Sequence, residues 1–490
     1  MSKHKKRLTF EVIIFIMNTK KISVPLLLIL YSLSSIAQSG NKFTGIWEGK
    51  LNLGIEIRIV FHINDDGKGG LKSTADSPDQ AAYGLKCDTT YLSGEALTIK
   101  MKDLMASFTG KMVNETTIKG TFTQRAELPL TLKKVDKPSE RIRPQTPKPP
   151  FPYKSEDIIY SNADKTLSYG ATITIPEGTG PFPAAVLITG SGAQNRDEDI
   201  LGHKLFAVIA DYLTRNGFII LRVDDRGMGK STGKFSEATS ADFANDVSAS
   251  VDYLLSRTEV DKMKIGLIGH SEGGMIAPMV ATQRKDINFI VLLAAPGVKI
   301  IDLMTEQAGA IIRSSGVSEK AVEAYKPLYN TMATTIVNAP DTTAALASVK
   351  IMMKDWAEKT NKNLLRELGM KDAEARNSIA TSLVRTMSLK WFKYFLLFDP
   401  QSWLQKLNCK VFTLNGDKDV QVISKQNLPG IEEALKKSKS PLFEIKELPG
   451  LNHLFQTCKK CTVEEYGELE ETFSPAALKI MVDWLIKNVK

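Results

Sequence analysis

The chain is poor in the residues that staple or ligate a protein, and its charges nearly balance. It has only four cysteines in 490 residues, Cys87, Cys409, Cys458 and Cys461. That is too few for a disulfide framework, and a chain this long buries enough apolar surface not to need one. Cys458-Lys459-Lys460-Cys461 has the spacing of half a zinc site or of a redox pair. Zinc would need two more ligands nearby, and a redox pair normally opens a helix after a strand. A local disulfide or two free thiols fits the spacing better. Excess charge is scarce as well. The formal charge is +9, but residues 1–37 hold six basic residues and one acidic, so the remainder carries +4. That is too mild to point to nucleic acid or an anionic membrane. Long apolar runs are missing too: the stretch from Val24 to Leu33 is too short and wrongly flanked for a stable membrane span.

What that stretch does resemble is a secretory leader. Lys20 and Lys21 precede it, and Ser35-Ile36-Ala37 follows with small residues where a signal peptidase reads. The reading expects cleavage after Ala37 and a secreted or periplasmic protein, with Met17 an alternative start. An uncleaved anchor is the competing reading. No cysteine at the cut site suggests a lipid.

The composition is 43% hydrophobic and 24% charged, ordinary for a globular chain. Residues 38–135 alternate apolar and polar residues in short runs such as Ile55-Glu56-Ile57-Arg58-Ile59, separated by turns such as Asp65-Asp66-Gly67. This predicts a small all-β domain, a barrel or a sandwich. His62 falls in one of its strands and reads as structural. A proline-rich stretch, 136–153, reads as an extended linker. From 154 onward the pattern becomes strand, helix, strand, helix. Ala184–Thr189, Phe218–Val223, Ile265–Ile268 and Phe289–Leu293 are continuous apolar runs, as expected of a mostly parallel sheet flanked by helices. The alternation stops at about 299–405, which looks helical throughout. Strands resume at Lys410–Leu414 and Leu442–Lys446, and a last helix runs from about Pro475. The insertion leaves and re-enters at strand ends where ligands bind, so it reads as a lid and not as a separate helical domain.

Gly269-His270-Ser271-Glu272-Gly273 follows an apolar strand and precedes a helix. That is the context of a G-x-S-x-G nucleophile elbow, in which Gly269 and Gly273 relieve crowding around a strained serine. Serine needs a base, and there are five histidines from which to choose it. His4 lies in the leader and His62 in the β-domain. His203 begins a helix, and His270 should be aimed away from the Ser271 hydroxyl. His453, in the loop after the last strand, remains, and it falls last in the order Ser…Asp…His of an α/β-hydrolase. For the acid, Asp419 and Asp417 compete in Asn415-Gly416-Asp417-Lys418-Asp419. The Gly-x-x-Asp spacing favours Asp419, with Asp417 shaping the turn. The oxyanion hole needs two backbone N–H groups, one from Glu272 and one from the loop Thr189-Gly190-Ser191-Gly192, where Ser191 is preferred to Gly192. This loop lacks the third glycine of a dinucleotide fingerprint.

These segments together resemble the EstD-type esterase family, which adjoins the serine aminopeptidase-like hydrolases. ITGSGAQNRDED (188–199), VDDRGMGKSTG (223–233), IGLIGHSEGG (265–274), LNGDKDVQV (414–422) and LPGLNHLFQ (448–456) carry the resemblance. GIWEGKL (45–51) and ADSPDQAAYG (75–84) more weakly resemble the β-domain of exported members. The resemblance implies an α/β-hydrolase fold, cofactor-free hydrolysis of a small-molecule carboxylic ester, Ser271 as nucleophile, Asp419 as acid and His453 as base. It also implies that Asp225-Arg226-Gly227 shapes the site floor. The chain departs from the common pattern at Thr189-Gly190, where many hydrolases have His-Gly. Two other readings compete. An exopeptidase would use the same triad, with lid carboxylates such as Glu306, Glu319 and Glu323 holding a free amine. A binding protein on a dead scaffold is disfavoured because all three catalytic roles are filled.

Overall fold

The computed structural model describes residues 41–52, 56–80, 82–124, 127–139 and 143–490. The expected leader, 1–37, lies outside the described residues. The first body holds β1 (Gly45–Asn52), β2 (Glu56–Asp65), β3 (Leu71–Ser77), β4 (Ala82–Lys86), β5 (Thr89–Ser93), β6 (Ala96–Met101), β7 (Ala106–Asn114), β8 (Thr117–Thr123) and β9 (Glu127–Val135). Its antiparallel sheet has nine strands, and because β2 also pairs with β3 it closes into a barrel, with β4 outside the ring. Closure removes the unpaired edges that an open sheet would expose. Alternation sends Trp47, Phe61 and Phe108 inward, all fully buried, with the two phenyl rings 5.7 Å apart. The lumen is therefore packed with side chains. His62 pairs with Asp76 at 2.7 Å on neighbouring strands of this barrel.

The second body opens with β10 (Tyr153–Ser161) and β11 (Ser168–Pro176), then β12 (Phe182–Ile188). A two-residue hairpin, β13 (Asp199–Ile200) and β14 (His203–Lys204), leads into α1 (Leu205–Arg215). Next come β15 (Ile219–Val223), α2 (Ser240–Ser256), β16 (Val260–His270), α3 (Glu272–Gln283) and β17 (Ile287–Leu293). The chain ends with β18 (Lys410–Gly416), α11 (Ser424–Lys436), β19 (Phe443–Leu448) and α12 (Pro475–Asn488). The eight strands lie in the order β10-β11-β15-β12-β16-β17-β18-β19. All pairs from β15–β12 to β18–β19 are parallel, and β10 and β11 add an antiparallel edge. Helices cover both faces: α1 and α12 pack in one core cluster, α2, α3 and α11 in the other. Apolar side chains on both sides of β12, β16, β17 and β18 are buried as a result, which accounts for their unbroken apolar sequences. This is the α/β-hydrolase fold.

Between β17 and β18 the chain is all helix: α4 (Ile300–Ser314), α5 (Glu319–Asn338), α6 (Thr342–Lys359), α7 (Lys362–Glu367), α8 (Ala373–Met387), α9 (Lys390–Leu396) and α10 (Gln401–Leu404). Two segments differ from the sequence reading. The helix expected from His203 begins at Leu205, because His203 is buried in the hairpin, held by Thr472 Oγ1 and Tyr466 O, each at 2.9 Å. The linker is also not free. The Arg143 guanidinium donates to the carbonyls of Leu201, Gly467 and Leu469, and Gln145 bonds the backbone of Thr472 and Phe473.

Candidate active site

The elbow is built by close approach of backbones. Ser271 stands between β16 and α3 with φ 52° and ψ −115°, a left-handed conformation costly for any residue but glycine. A Cβ at Gly269 would lie 2.1 Å from Gly273 O, and one at Gly273 would lie 2.1 Å from Ile188 O. Only hydrogen fits at either position. The strain lifts Ser271 above the sheet at the amino end of α3, where amide dipoles point at the substrate position.

The Asp and His loops are brought together in the same way. A Cβ at Gly416, the last residue of β18, would lie 2.1 Å from Leu451 O. With glycine there, the Asp419 loop reaches the His453 loop. Asp419 Oδ1 accepts the amides of Gln421 and Val422 at 2.8 and 2.9 Å, while Oδ2 meets His453 Nδ1 at 2.8 Å. The Asp419 carboxylate has no solvent exposure. Because it is an acceptor, Nδ1 carries the proton and Nε2 presents a lone pair. Among the described residues neither Nε2 nor the Ser271 hydroxyl makes a hydrogen bond. Asp417 instead accepts the Gly450 amide at 2.6 Å, shaping the turn.

The loop after β12 closes over the elbow. A Cβ at Gly190 would stand 3.2 Å from Ser271 Cβ. The Gly190 amide is taken by Glu198 Oε1 at 2.7 Å, whereas the Ser191 amide makes no hydrogen bond among the described residues. Asp225 pins this loop through Thr189 Oγ1 at 2.8 Å and the Gln194 amide at 2.9 Å. Burial, only partly offset by those bonds, pushes the Asp225 carboxyl up to about 7. Arg226 pairs with Asp246 at 2.7 Å. Glu272 supplies more than its amide. Its buried carboxylate takes Ser240 Oγ at 2.6 Å and, from the helical insertion, Trp391 Nε1 at 2.8 Å. Burial pushes this carboxyl up to about 7 as well. Asp225 and Glu272 both line a cavity of about 40 Å³ behind the loop.

Of the seven residues singled out from sequence, Asp419 and His453 are in direct contact. Gly269, Ser271, Glu272 and Gly273 form one turn, and Ser191 is exposed beside it. His270 points away from the hydroxyl. Its Nδ1 meets Glu198 Oε1 at 2.9 Å and its Nε2 meets the His453 carbonyl at 3.0 Å. Sequence reasoning missed Glu198, which sits in an acidic run with no local signal for its partner. The carboxylates considered for amine binding are engaged elsewhere: Glu306 and Glu323 with Lys326 at 2.8 and 3.0 Å, Glu319 with Arg313 at 2.6 Å. Cys458 and Cys461 form a disulfide, and Glu465 beside them accepts the amides of Lys459, Lys460 and Cys461.

Residues 203–456, more than half of the chain, match the hydrolase family described as serine aminopeptidase, S33. The chain belongs to that family. The chain is similar to Esterase EstD of Thermotoga maritima, 32% identical over 151 residues, which cover 31% of this chain and 36% of the relative. It is also similar to an acyl transferase of Photorhabdus laumondii, 32% identical over 136 residues, 28% of this chain and 40% of the relative. The S33-family chain thus spans two fifths or less of the length of these curated relatives. Among solved structures it is similar to the α/β-hydrolase GrgF from Penicillium (TM-score 0.41, 15% identity, 69% of this chain and 99% of that one). It is likewise similar to the Pyrococcus furiosus esterase Pf2001 (TM-score 0.41, 14% identity, 69% and 92%).

Proposed function

We propose that this protein is a serine hydrolase that cleaves carboxylic esters through an acyl-enzyme. The observation that carries the reading is the buried Asp419–His453 hydrogen bond on two loops at the ends of β18 and β19, with the His453 ring 4.8 Å from that of His270, the residue before the strained Ser271. In the proposed reaction Ser271 Oγ attacks the ester carbonyl as its proton passes to His453 Nε2. Asp419 holds the ring in the tautomer that can receive it. The oxyanion lies against the amides of Glu272 and Ser191. His453 then gives the proton to the leaving alkoxide, and the alcohol departs. Water attacks the acyl-enzyme with His453 as base, releasing the acid and restoring Ser271. Glu306, Glu319 and Glu323 already pair with Lys326 or Arg313, so a peptide amine would have to compete with those cations at each of them. In the same reading the protein works outside the cytoplasm. The Cys458–Cys461 disulfide supports this, because disulfides persist in oxidising compartments.

The test is turnover of p-nitrophenyl esters from acetate to octanoate beside an aminoacyl-nitroanilide panel. Esters alone should be cleaved, and Ser271→Ala should lower kcat by about 10⁴–10⁶ with the fold intact. Near-normal turnover by that variant would remove Ser271 from the mechanism. Cleavage of the anilides would make the enzyme a peptidase.

A further inference from the structure

A second acid–histidine pair lies within the same site, and the reaction proposed above does not use it. Glu198 and His270 are both buried, with 0% and 1% exposure. Three hydrogen bonds run through them: Gly190 N–H to Glu198 Oε1, Glu198 Oε1 to His270 Nδ1, and His270 Nε2 to the carbonyl of His453. The chain links the loop after β12, the residue before the nucleophile and the backbone of the base. The rings of His270 and His453 are 4.8 Å apart.

The protons of this chain can be assigned. The His453 carbonyl is only an acceptor, so His270 Nε2 must carry hydrogen. Glu198 Oε1 already accepts the Gly190 amide, and it bonds Nδ1 only if a proton lies between them. All three bonds form together when the pair holds one proton beyond a neutral imidazole and a carboxylate. Burial alone would lower the His270 pKa, but the Glu198 carboxylate, with the His453 carbonyl and the Asp419 charge, outweighs it and the net displacement is upward. The arrangement is costly. Glu198 has φ +47°, and its Oε2 is buried with no partner among the described residues. Strain and an unpaired buried oxygen at one residue are features that persist where the surrounding structure uses them.

We propose that Glu198 and His270 form a positioning dyad that sets the oxyanion loop and the His453 backbone at one fixed spacing across Ser271. Neither residue touches substrate; both act through Gly190 and His453. The inference rests on the serine-hydrolase reading. Glu198→Gln tests it because the amide is isosteric yet, without a carboxylate to hold a charged imidazole in the interior, cannot complete the chain. If its oxygen accepts from Gly190 and Nδ1–H of a neutral imidazole, Nε2 is bare against the His453 carbonyl. If its NH₂ serves Nδ1, the Gly190 amide loses its acceptor.

The experiment measures kcat and KM for p-nitrophenyl acetate with Glu198→Gln, His270→Gln and Ser271→Ala, alongside melting temperature. A misplacement near 1 Å costs about 100-fold. Accordingly, kcat should fall about 10- to 100-fold in both dyad variants, with KM within about threefold of wild type. A kcat within twofold of wild type in Glu198→Gln overturns the dyad, as does a loss confined to KM. If neither dyad variant folds, the pair is a folding element and the proposal also fails. Activity retained by Ser271→Ala would instead refute the underlying reaction, so the two failures are distinguishable.

Discussion

Glutamate 272 offers a measurable link between the elbow and the helical insertion. Its carboxyl, on the residue after Ser271, is fully buried, accepts Trp391 Nε1 and Ser240 Oγ, and is displaced from 4.5 to about 7. Between those two pH values the folded chain keeps a proton that the unfolded chain has released. Stability contributed here is therefore complete below about pH 4.5 and is lost as pH rises through about 7. At 1.36 kcal/mol per pKa unit, ionising Glu272 in place costs about 3 kcal/mol. Glu272→Gln keeps an acceptor oxygen for both donors and cannot ionise. Its new NH₂ group, if left without a partner, costs about 1 kcal/mol at every pH. The stability difference, variant minus wild type, should therefore rise by roughly 2–3 kcal/mol from pH 4.5 to 8.5. Asp225 titrates in the same direction in both proteins and largely cancels in the difference, apart from the smaller part of its upward shift that comes from the Glu272 charge. Urea unfolding followed by tryptophan emission measures it, and Trp391 should report the ionisation directly in the wild type. A difference that stays flat across this range would refute the claim that Glu272 is held neutral by burial.

Two further outcomes follow from the site. Asp419→Asn should lower kcat by about 10⁴, because the ring loses the acceptor that fixes its tautomer. Asp417→Asn should leave kcat within about tenfold and cost about 1 kcal/mol of stability through the Gly450 amide. The reverse order in ester assays would reassign the acid. Replacing Cys458 and Cys461 with serine should cost about 2 kcal/mol or less, since the closed loop is very short. Glu465 still holds the three amides, so kcat should stay within about twofold. A loss of activity beyond tenfold would show that the disulfide, and not Glu465, fixes the His453 loop.

Local patterns made much of this legible. The apolar runs of β12, β16, β17 and β18 announced a sheet covered on both faces, and Gly269 and Gly273 marked the elbow because contacts around them leave no room for a Cβ. What stayed hidden depends on partners distant in sequence. Alternation in 38–135 is the same for a barrel and a sandwich, and only the β2–β3 pairing within the ring distinguishes them. The antiparallel strands β10 and β11 were not read at all. Glu198 is an ordinary acid in an acidic run until folding sets it against His270, 72 positions away. Glu272 was valued for its amide, and nothing local showed that its carboxylate would meet Trp391. Proline content led to the expectation of an extended linker but said nothing of what Arg143 and Gln145 would bind.

Those two residues change how the chain can be divided. The segment they grip, 467–473, also bonds His203 through Thr472, and Tyr466, the residue just before it, bonds the other ring nitrogen. Tyr466 also reaches Gln421, two residues from Asp419. A truncated chain begun at 154, the boundary read from sequence, would therefore strip a clasp from the neighbourhood of the Asp419 loop. The severed piece would include part of the wall that the α/β half relies on. The useful cut lies upstream of Arg143, so the proline-rich segment belongs, mechanically, to the half that follows it.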